Sequence, residues 1–419
     1  MDQLARRLGL GDAVVIGLGA MLGAGVFVAY APAAAAAGSW LLMALALAAL
    51  VAYANAIASA RLAAVYPQSG GTYVYGRERL GPFWGYLAGW AFVAGKLSSC
   101  AAIAWAIGVY VWPDQARWVA VASVALVAVI SYRGITKSAL VTRVIVVIVV
   151  AVVVIVSVLL LGTTPAAAPP LGEPIDVGPA GVLTAAGFLF FAFAGYARIA
   201  TLGEEVVEPE RTIPRAIPVA LGITMALYAL VAVALLRSRG AEVIATDPAP
   251  LASAVSASGF AWAEPVVRVT ATLAAFGSLL GVLLGVSRTG LAMARDRHLP
   301  PGLAAVHPRY RVPHRAELAA AVVVVALLLI GQLATAISFS SICVLTYYAI
   351  ANASAHTLPA GTRVDRALPV VGLIGCVVIA VFQPVATLLT AAAVLVIGSL
   401  IYALRHPHGV EGGGGTVSQ

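Results

Sequence analysis

The stretch GLGAMLGAGVFVAYAPAAAAAG, residues 17–38, contains no charged residue and carries glycines at Gly17, Gly19, Gly23 and Gly25. Glycine weakens helix propagation more than any residue except proline. Inside a lipid bilayer an unpaired backbone group is costly, so an interrupted helix survives only where it is buried in protein or lines a cavity. The glycines therefore indicate either close packing against another helix or an interruption that offers amide donors and carbonyl acceptors to a ligand.

A second cluster of small residues, AFAG at 192–195, lies near the centre of the apolar run 181–203 and ends at Gly195. Matching interruptions in the first and sixth apolar runs are typical of two inverted repeats with a binding site between them at mid-membrane. Exposed amides attract an anionic group, and free carbonyls accept from a cationic one. The two interruptions together suit a zwitterion, of which free amino acids are the commonest small example.

Lys96 is a single charge inside the apolar stretch GWAFVAGKLSSCAAIAW. It lies about 21 Å along a helix that begins near Pro82, at 1.5 Å per residue, so its head does not easily reach either membrane surface. A charge at this depth generally faces the bundle interior or a water-filled cavity, and a lysine there can load and release a proton. The alternative is a lysine that caps carbonyls or neutralises a buried acid, but the sequence shows no acid at matching depth.

Long apolar helices must position these residues. The chain has 419 residues, 62% of them hydrophobic and 10% charged, whereas soluble domains contain about 25% charged residues. No ten-residue alternation typical of a transmembrane barrel is present. The sequence predicts an all-α integral membrane protein with about 12 transmembrane helices, at 13–37, 39–60, 82–111, 117–132, 139–162, 181–203, 214–236, 265–294, 316–333, 335–355, 367–384 and 386–404.

These spans predict one transmembrane domain over residues 1–419. Repeat one covers 13–162, repeat two covers 181–355, two additional helices cover 367–404, and 405–419 is a disordered cytoplasmic tail. Most of the 25 lysines and arginines fall on alternate connecting segments. Because positive residues favour the cytoplasmic side, we expect a multi-pass plasma-membrane protein with both termini in the cytoplasm.

Several functional classes fit the sequence poorly. The basic residues form no stripe despite the net charge of +8, so no nucleic-acid partner is expected. Cys100, Cys343 and Cys376 lie in apolar runs without metal-ligand spacing, and we expect no metal or cofactor. The six histidines do not cluster at membrane depth, and no nucleophile motif is present, so an enzyme is not expected. A channel or membrane-embedded sensor is less favoured, because no pore-lining ring or output domain is recognisable.

Four segments in order resemble the amino acid–polyamine–organocation transporter superfamily. They are GAMLGAGVF at 19–27, VYPQSGGTYVYGRERLGPFWGYLAGW at 65–90, FFAFAGYARIATLGEEVVEPERTIPRAI at 190–217 and SRTGLAMARDRHLP at 287–300. The resemblance implies a leucine-transporter-like fold of five plus five inverted helices, with discontinuous helices 1 and 6 and two extra helices. It also implies secondary transport of amino acids or related amines.

The resemblance assigns the first interruption to the substrate carboxylate. Carried over by position, the amides of Gly23, Ala24 and Gly25 bind the carboxylate, with Met21 and Leu22 beside it.

The same resemblance assigns the second interruption to the substrate ammonium. Carbonyls around Phe190, Phe191 and Ala192 accept from the ammonium, and Phe191 or Phe193 acts as an aromatic lid. Gly195 belongs to the same interruption. For each phenylalanine, packing in the core or against lipid is the alternative.

By the same resemblance, Lys96 lines the pocket for the substrate side chain, where a cation disfavours cationic substrates. Some proton-coupled relatives instead carry a lysine in the fifth span, where this sequence has valine near Val149. Arg198 lies just past the second interruption and either adds to the positive charge or pairs with Glu204 or Glu205.

We therefore expect a permease that moves an amino acid together with a proton and favours neutral or acidic over cationic substrates. Sodium coupling is less expected, because Ser287 and Thr289 offer hydroxyls without an evident carboxylate. An amino acid or amine exchanger of the same fold is the alternative, and the oligomeric state is left open.

Overall fold

The computed structural model describes residues 8–66, 70–134, 139–163, 178–200, 206–359 and 361–405. Within these ranges the chain is almost entirely helical, and the one β-type contact is an isolated bridge between Leu8 and Val206. The prediction of an all-α chain is confirmed.

Eight helices form the first half of the chain. They are α1 (Leu10–Met21), α2 (Gly25–Val28), α3 (Tyr30–Ala37), α4 (Leu41–Val65), α5 (Thr72–Leu80), α6 (Pro82–Val111), α7 (Ala116–Tyr132) and α8 (Ala139–Gly162). Nine follow: α9 (Gly178–Phe193), α10 (Ala197–Ala200), α11 (Pro209–Thr246), α12 (Pro250–Ala257), α13 (Ala263–Arg295), α14 (His314–Ile330), α15 (Leu333–His356), α16 (Arg363–Val381) and α17 (Val385–Arg405).

Helix starts follow local sequence signals. α6, α11 and α12 each begin with a proline, whose fixed φ and missing N–H suit the first helical turn. α16 begins with a capping box, in which the Thr362 hydroxyl accepts from the Asp365 amide and the Asp365 carboxylate accepts from the Thr362 amide. Within α11, Gly240 adopts φ 72°, a conformation that only glycine adopts at low cost, and the helix bends there.

Eleven helical segments in the described part of the chain are long and apolar enough to cross a membrane. The predicted ninth span, 316–333, falls on α14, which has only 17 residues. At 1.5 Å per residue α14 is about 26 Å long, slightly shorter than a hydrocarbon core of about 30 Å. α14 is therefore the difference between the eleven segments and the twelve predicted.

The outer faces of these helices are strongly apolar. Ile330 is 84% exposed, Leu404 81% and Val385 70%. Helices that are apolar all around their circumference are buried in a protein or in a membrane. Apolar side chains exposed on helices long enough to cross a membrane indicate a multi-pass membrane bundle. α6 contacts α13 and α15, α1 contacts α11, and α9 contacts α3 and α4.

Candidate functional site

The first membrane helix is interrupted at the predicted glycines. α1 ends at Met21 and α2 begins at Gly25. The Ala24 carbonyl starts α2 by accepting from the amides of Phe27 at 2.9 Å and Val28 at 3.1 Å. Among the described residues no acceptor is found for four successive amides, those of Gly23, Ala24, Gly25 and Val26. All four residues are buried, so these donors face the interior of the bundle.

The second interruption follows α9. α9 ends at Phe193 and a single 3₁₀ turn, Ala194–Tyr196, joins it to α10. The last carbonyls of an α-helix lack intrahelical donors and need other partners. The predicted discontinuity in the sixth span is therefore present, and it begins within AFAG.

The two interruptions touch each other. A Cβ at Gly25 would lie 2.6 Å from the Cα atom of Ala192, and a Cβ at Gly195 would clash with the backbone of Ala20 and Met21. Real Cβ atoms essentially never approach other atoms within 3.0 Å. Close packing and helix interruption are therefore both present, and glycine is needed where the two breaks cross.

The three phenylalanines differ in environment. Phe190 is fully buried and meets Tyr348 edge to face, with ring centroids 6.0 Å apart. Phe193 is fully buried against Tyr228, with centroids 4.9 Å apart. Phe191 is only partly buried. Phe190 and Phe193 are core residues, and Phe191 alone of the three is partly exposed.

Lys96 reaches the second interruption. It lies at the middle of the 30-residue α6, and its Nζ donates to the carbonyl oxygen of Ala194 at 3.3 Å. The same Nζ lies 5.9 Å from the centroid of the Phe92 ring, one turn earlier on α6. No carboxylate within the described ranges forms an ion pair with it. Lys96 therefore caps a carbonyl, which is one of the alternatives that the sequence left open. It does not neutralise an acidic residue in the described part of the chain.

Tyr228 on α11 connects both interruptions, and nothing in the local sequence identified it. Its hydroxyl oxygen lies 2.5 Å from the carbonyl oxygen of Met21 and 3.0 Å from that of Ala192. Its own carbonyl accepts from the hydroxyl of Tyr30 at 2.9 Å. The available signal was general: a tyrosine inside an apolar run needs a hydrogen-bond partner for its hydroxyl.

A similar contact holds the short helix α2. The hydroxyl of Tyr110 on α6 donates to the Phe27 carbonyl at 3.0 Å, and the two rings meet edge to face. Arg268 donates to the Tyr110 carbonyl at 3.3 Å and pairs with Glu264 at 2.9 Å. Tyrosines from α6 and α11 therefore fix the backbone on both sides of the first break.

The remaining predicted residues lie nearby. Met21 and Leu22 are buried at the end of α1, and Gly23 faces Ser278 of α13. Arg198 lies on α10 and is partly exposed, whereas Glu204 and Glu205 lie outside the described residues.

The hydroxyls considered for a sodium site bond to their own helix. Ser287 donates to the Leu284 carbonyl at 3.1 Å, and Thr289 donates to the Gly285 carbonyl at 3.0 Å.

Comparison with known proteins extends over nearly the whole chain. Residues 8–408 match the family model described as amino acid permease. An uncharacterized transporter of Mycobacterium tuberculosis is 60% identical over 405 residues, which cover 96% of this chain and 92% of that protein.

More distant relatives carry more specific names. A vacuolar cationic amino acid transporter of Arabidopsis thaliana is 29% identical over 378 residues, covering 83% of this chain and 63% of that protein. A branched-chain amino acid permease of Bacillus subtilis is 24% identical over 337 residues, which cover 74% of this chain and 72% of that protein. With an interrupted helix pair inside an all-α membrane bundle, this chain belongs to the amino acid permease family and is a transporter, not an enzyme.

Proposed function

We propose that this permease moves an amino acid across the plasma membrane by proton-coupled secondary transport and favours neutral or acidic over cationic substrates. The observation that carries the proposal is the contact between two helix interruptions, one with unpaired amides and the other with carbonyls that accept from side chains. Backbone groups of both polarities at one place in a membrane bundle suit a zwitterion.

The amides of the first interruption would bind the substrate carboxylate. Gly23, Ala24 and Gly25 carry three of the four amides for which no acceptor is described, and Met21 and Leu22 form the adjoining wall. Four buried amides without an acceptor in the described part of the chain represent a cost that an anionic ligand removes. This is the strongest support for a carboxylate at this place.

The carbonyls of the second interruption would bind the substrate ammonium. The proposed acceptors are those of Phe190, Phe191 and Ala192, at the end of α9. The carbonyls of Met21 and Ala192 share one donor, the Tyr228 hydroxyl, so the Ala192 carbonyl is free for the ammonium when Tyr228 donates to Met21. Phe191, the one partly exposed phenylalanine of the three, is the proposed lid.

Lys96 is the proposed proton carrier. Its ammonium lies inside the bundle, bonds to a carbonyl at the second interruption and has no described acidic partner. The hydroxyls of Ser287 and Thr289 are satisfied within their own helix, which supports a proton rather than a sodium ion as the coupled species. A cation at this position repels lysine-like and arginine-like side chains. The proposed substrate preference therefore differs from that of the plant relative, which is named a cationic amino acid transporter.

The topology belongs to the same proposal. Residues 13–162 and 181–355 would form two inverted repeats, helices within 367–404 would be additional, and both termini would lie in the cytoplasm. The two interruptions lie in corresponding positions of these proposed repeats.

Uptake into proteoliposomes tests the function. Labelled neutral, acidic and cationic amino acids are offered with and without an inward proton gradient, and a protonophore and protein-free vesicles serve as controls. We expect gradient-dependent accumulation of neutral or acidic amino acids. Counterflow that ignores the gradient would instead indicate an exchanger, and transport of cationic amino acids alone would contradict the substrate preference.

A further inference from the structure

We propose that the preferred substrate carries a second carboxylate, as aspartate and glutamate do, and that this side-chain carboxylate binds the Lys96 ammonium. The inference rests on the proposed function and narrows its substrate class to acidic amino acids. The proposed ion pair is separate from the contacts that the backbone groups of the two interruptions make with the substrate.

The Lys96 ammonium has unused bonding capacity. An ammonium has three N–H donors, and only one of them has a described acceptor, the Ala194 carbonyl at 3.3 Å. This bond is longer than the usual N–H···O distance of about 2.9 Å. The Phe92 ring, with its centroid 5.9 Å from Nζ, gives only a weak cation–π contact. The ammonium can therefore accept a carboxylate as an additional partner without losing a stronger one.

The charge is also uncompensated. Lys96 lies at the middle of α6 and forms no ion pair with any carboxylate in the described parts of the chain. A charge that is closed off from water without a counter-ion is strongly unfavourable. The α-carboxylate and α-ammonium of an amino acid are already matched by the two interruptions. While Lys96 keeps its proton, a side-chain carboxylate is the one further group of such a substrate that can neutralise it when the site closes.

The distances fit such a substrate. Gly25 lies against the Cα atom of Ala192, and the Ala194 carbonyl that binds Lys96 is two residues further along. Two residues of backbone span at most about 7 Å, so Nζ lies no further than on the order of 10–15 Å from the amides of the first interruption. The two carboxylates of glutamate, with a hydrogen bond at each end, bridge a comparable distance of about 10 Å.

The charge balance gives a second consequence. An acidic amino acid carries one net negative charge, and a proton on Lys96 carries one positive charge. Substrate and proton bound together therefore add no net charge to the site. Uptake of an acidic amino acid with one proton is electroneutral and does not respond to membrane potential, whereas uptake of a neutral amino acid with one proton responds.

Isosteric substrate pairs test the ion pair. Unlabelled glutamate, glutamine, aspartate and asparagine compete with labelled glutamate for uptake by wild-type protein in proteoliposomes. We expect each acid to compete at least about tenfold better than its amide, which corresponds to about 1.4 kcal/mol. Lys96→Gln should lose this preference or invert it, and Lys96→Arg, which keeps the charge, should retain it.

A measurement on wild-type protein makes the test independent of the folding of any variant. Glutamate uptake is followed with valinomycin and potassium gradients that set the membrane potential to zero or inside-negative. Equal initial rates support the proposal, and rates that rise with an inside-negative potential contradict it. Equal competition by glutamine and glutamate also overturns it while the permease function stands, whereas absence of uptake for every amino acid overturns both.

Discussion

The hydroxyl oxygen of Tyr228 lies 2.5 Å from the carbonyl oxygen of Met21, the residue at which α1 ends. It also lies 3.0 Å from the carbonyl oxygen of Ala192 in the last turn of α9. A phenol has one hydrogen, so it can donate fully to only one carbonyl at a time. Tyr228 therefore joins the two interrupted helices through a hydroxyl that can change its acceptor when they move.

Removal of this hydroxyl should weaken both stability and transport. In Tyr228→Phe the carbonyls of Met21 and Ala192 lose the one donor that they share, at a position where the tyrosine is only 1% exposed. Loss of such a donor costs about 1–3 kcal/mol. We expect a lower thermal unfolding midpoint in detergent and a KM for amino acid uptake that is raised roughly tenfold.

Tyr53 provides the matched control for Tyr228. It lies on α4 with 41% of its surface exposed, so Tyr53→Phe removes a hydroxyl of the same type outside the bundle interior. We expect its midpoint and KM to stay at wild-type values. Equal effects in both variants would mean that the contact between Tyr228 and the interruptions has no special role.

The contact between the two interruptions should tolerate no extra atom. In Gly25→Ala the new Cβ meets the Cα atom of Ala192, which is backbone and cannot turn aside. Overpacking of this type costs about 1–3 kcal/mol, and it pushes apart the groups proposed to hold the substrate. We expect loss of uptake at a protein yield close to that of wild type.

Gly281 on α13 is the control for the glycine substitution, because a Cβ there meets nothing within 4 Å. We expect Gly281→Ala to transport normally and to be slightly more stable, since alanine favours a helix by about 1 kcal/mol over glycine. Normal uptake by Gly25→Ala would show that the two helices do not need this close approach.

The connecting helix α5 should be held to the end of α13 by a pair of side chains. The hydroxyl of Tyr73 donates to the Asp296 carboxylate and also meets His298 Nδ1 at 2.9 Å. Because the phenol has one hydrogen, His298 donates from Nδ1 to the Tyr73 oxygen. Arg77 adds a contact to Asp296 at 3.9 Å and lies over the Tyr73 ring.

A double-mutant cycle measures this coupling. Tyr73→Phe and Asp296→Asn should each lower the thermal unfolding midpoint, and the double variant should lose less than their sum, with a coupling of about 0.5–3 kcal/mol. Additive losses would contradict a direct Tyr73–Asp296 interaction.

The same pair gives a pH dependence with a defined sign. Burial raises the pKa of Tyr73 above its ordinary value of 10.0, and the hydrogen bond to Asp296 raises it further. Its contribution to stability is therefore fully present below about pH 10 and is lost as the pH rises towards the folded-state pKa. When the pH is raised from 9 to above 10, the thermal unfolding midpoint of Tyr73→Phe should fall less than that of the wild-type protein.

The sequence predicted both helix interruptions because glycine and small-residue clusters conflict with an uninterrupted apolar helix. For the glycines of the first span, the sequence offered close packing and helix interruption as alternatives. In the structure, Gly25 and Gly195 lie at helix interruptions and also pack closely against the other interrupted helix. A single segment cannot reveal this, because the partner backbone of Gly25 lies at Ala192, far along the chain.

The tyrosine contacts were not predicted for the same reason. Tyr228 and Tyr110 lie in apolar runs that only indicate a membrane helix, and their acceptors, at Met21, Ala192 and Phe27, are set by tertiary packing. The limit of the ninth span was also misplaced, since the predicted span runs to 333, whereas α14 ends at Ile330 and Gly331 and Gln332 separate it from α15.

Proton movement during transport tests the central claim most directly. Proteoliposomes containing a pH-sensitive dye receive an external amino acid without any initial proton gradient, and internal pH and substrate uptake are followed together. For wild-type protein we predict internal acidification in step with uptake, and for Lys96→Met we predict uptake or counterflow without acidification. Wild-type uptake at constant internal pH, or the same acidification by Lys96→Met, would contradict proton coupling through Lys96.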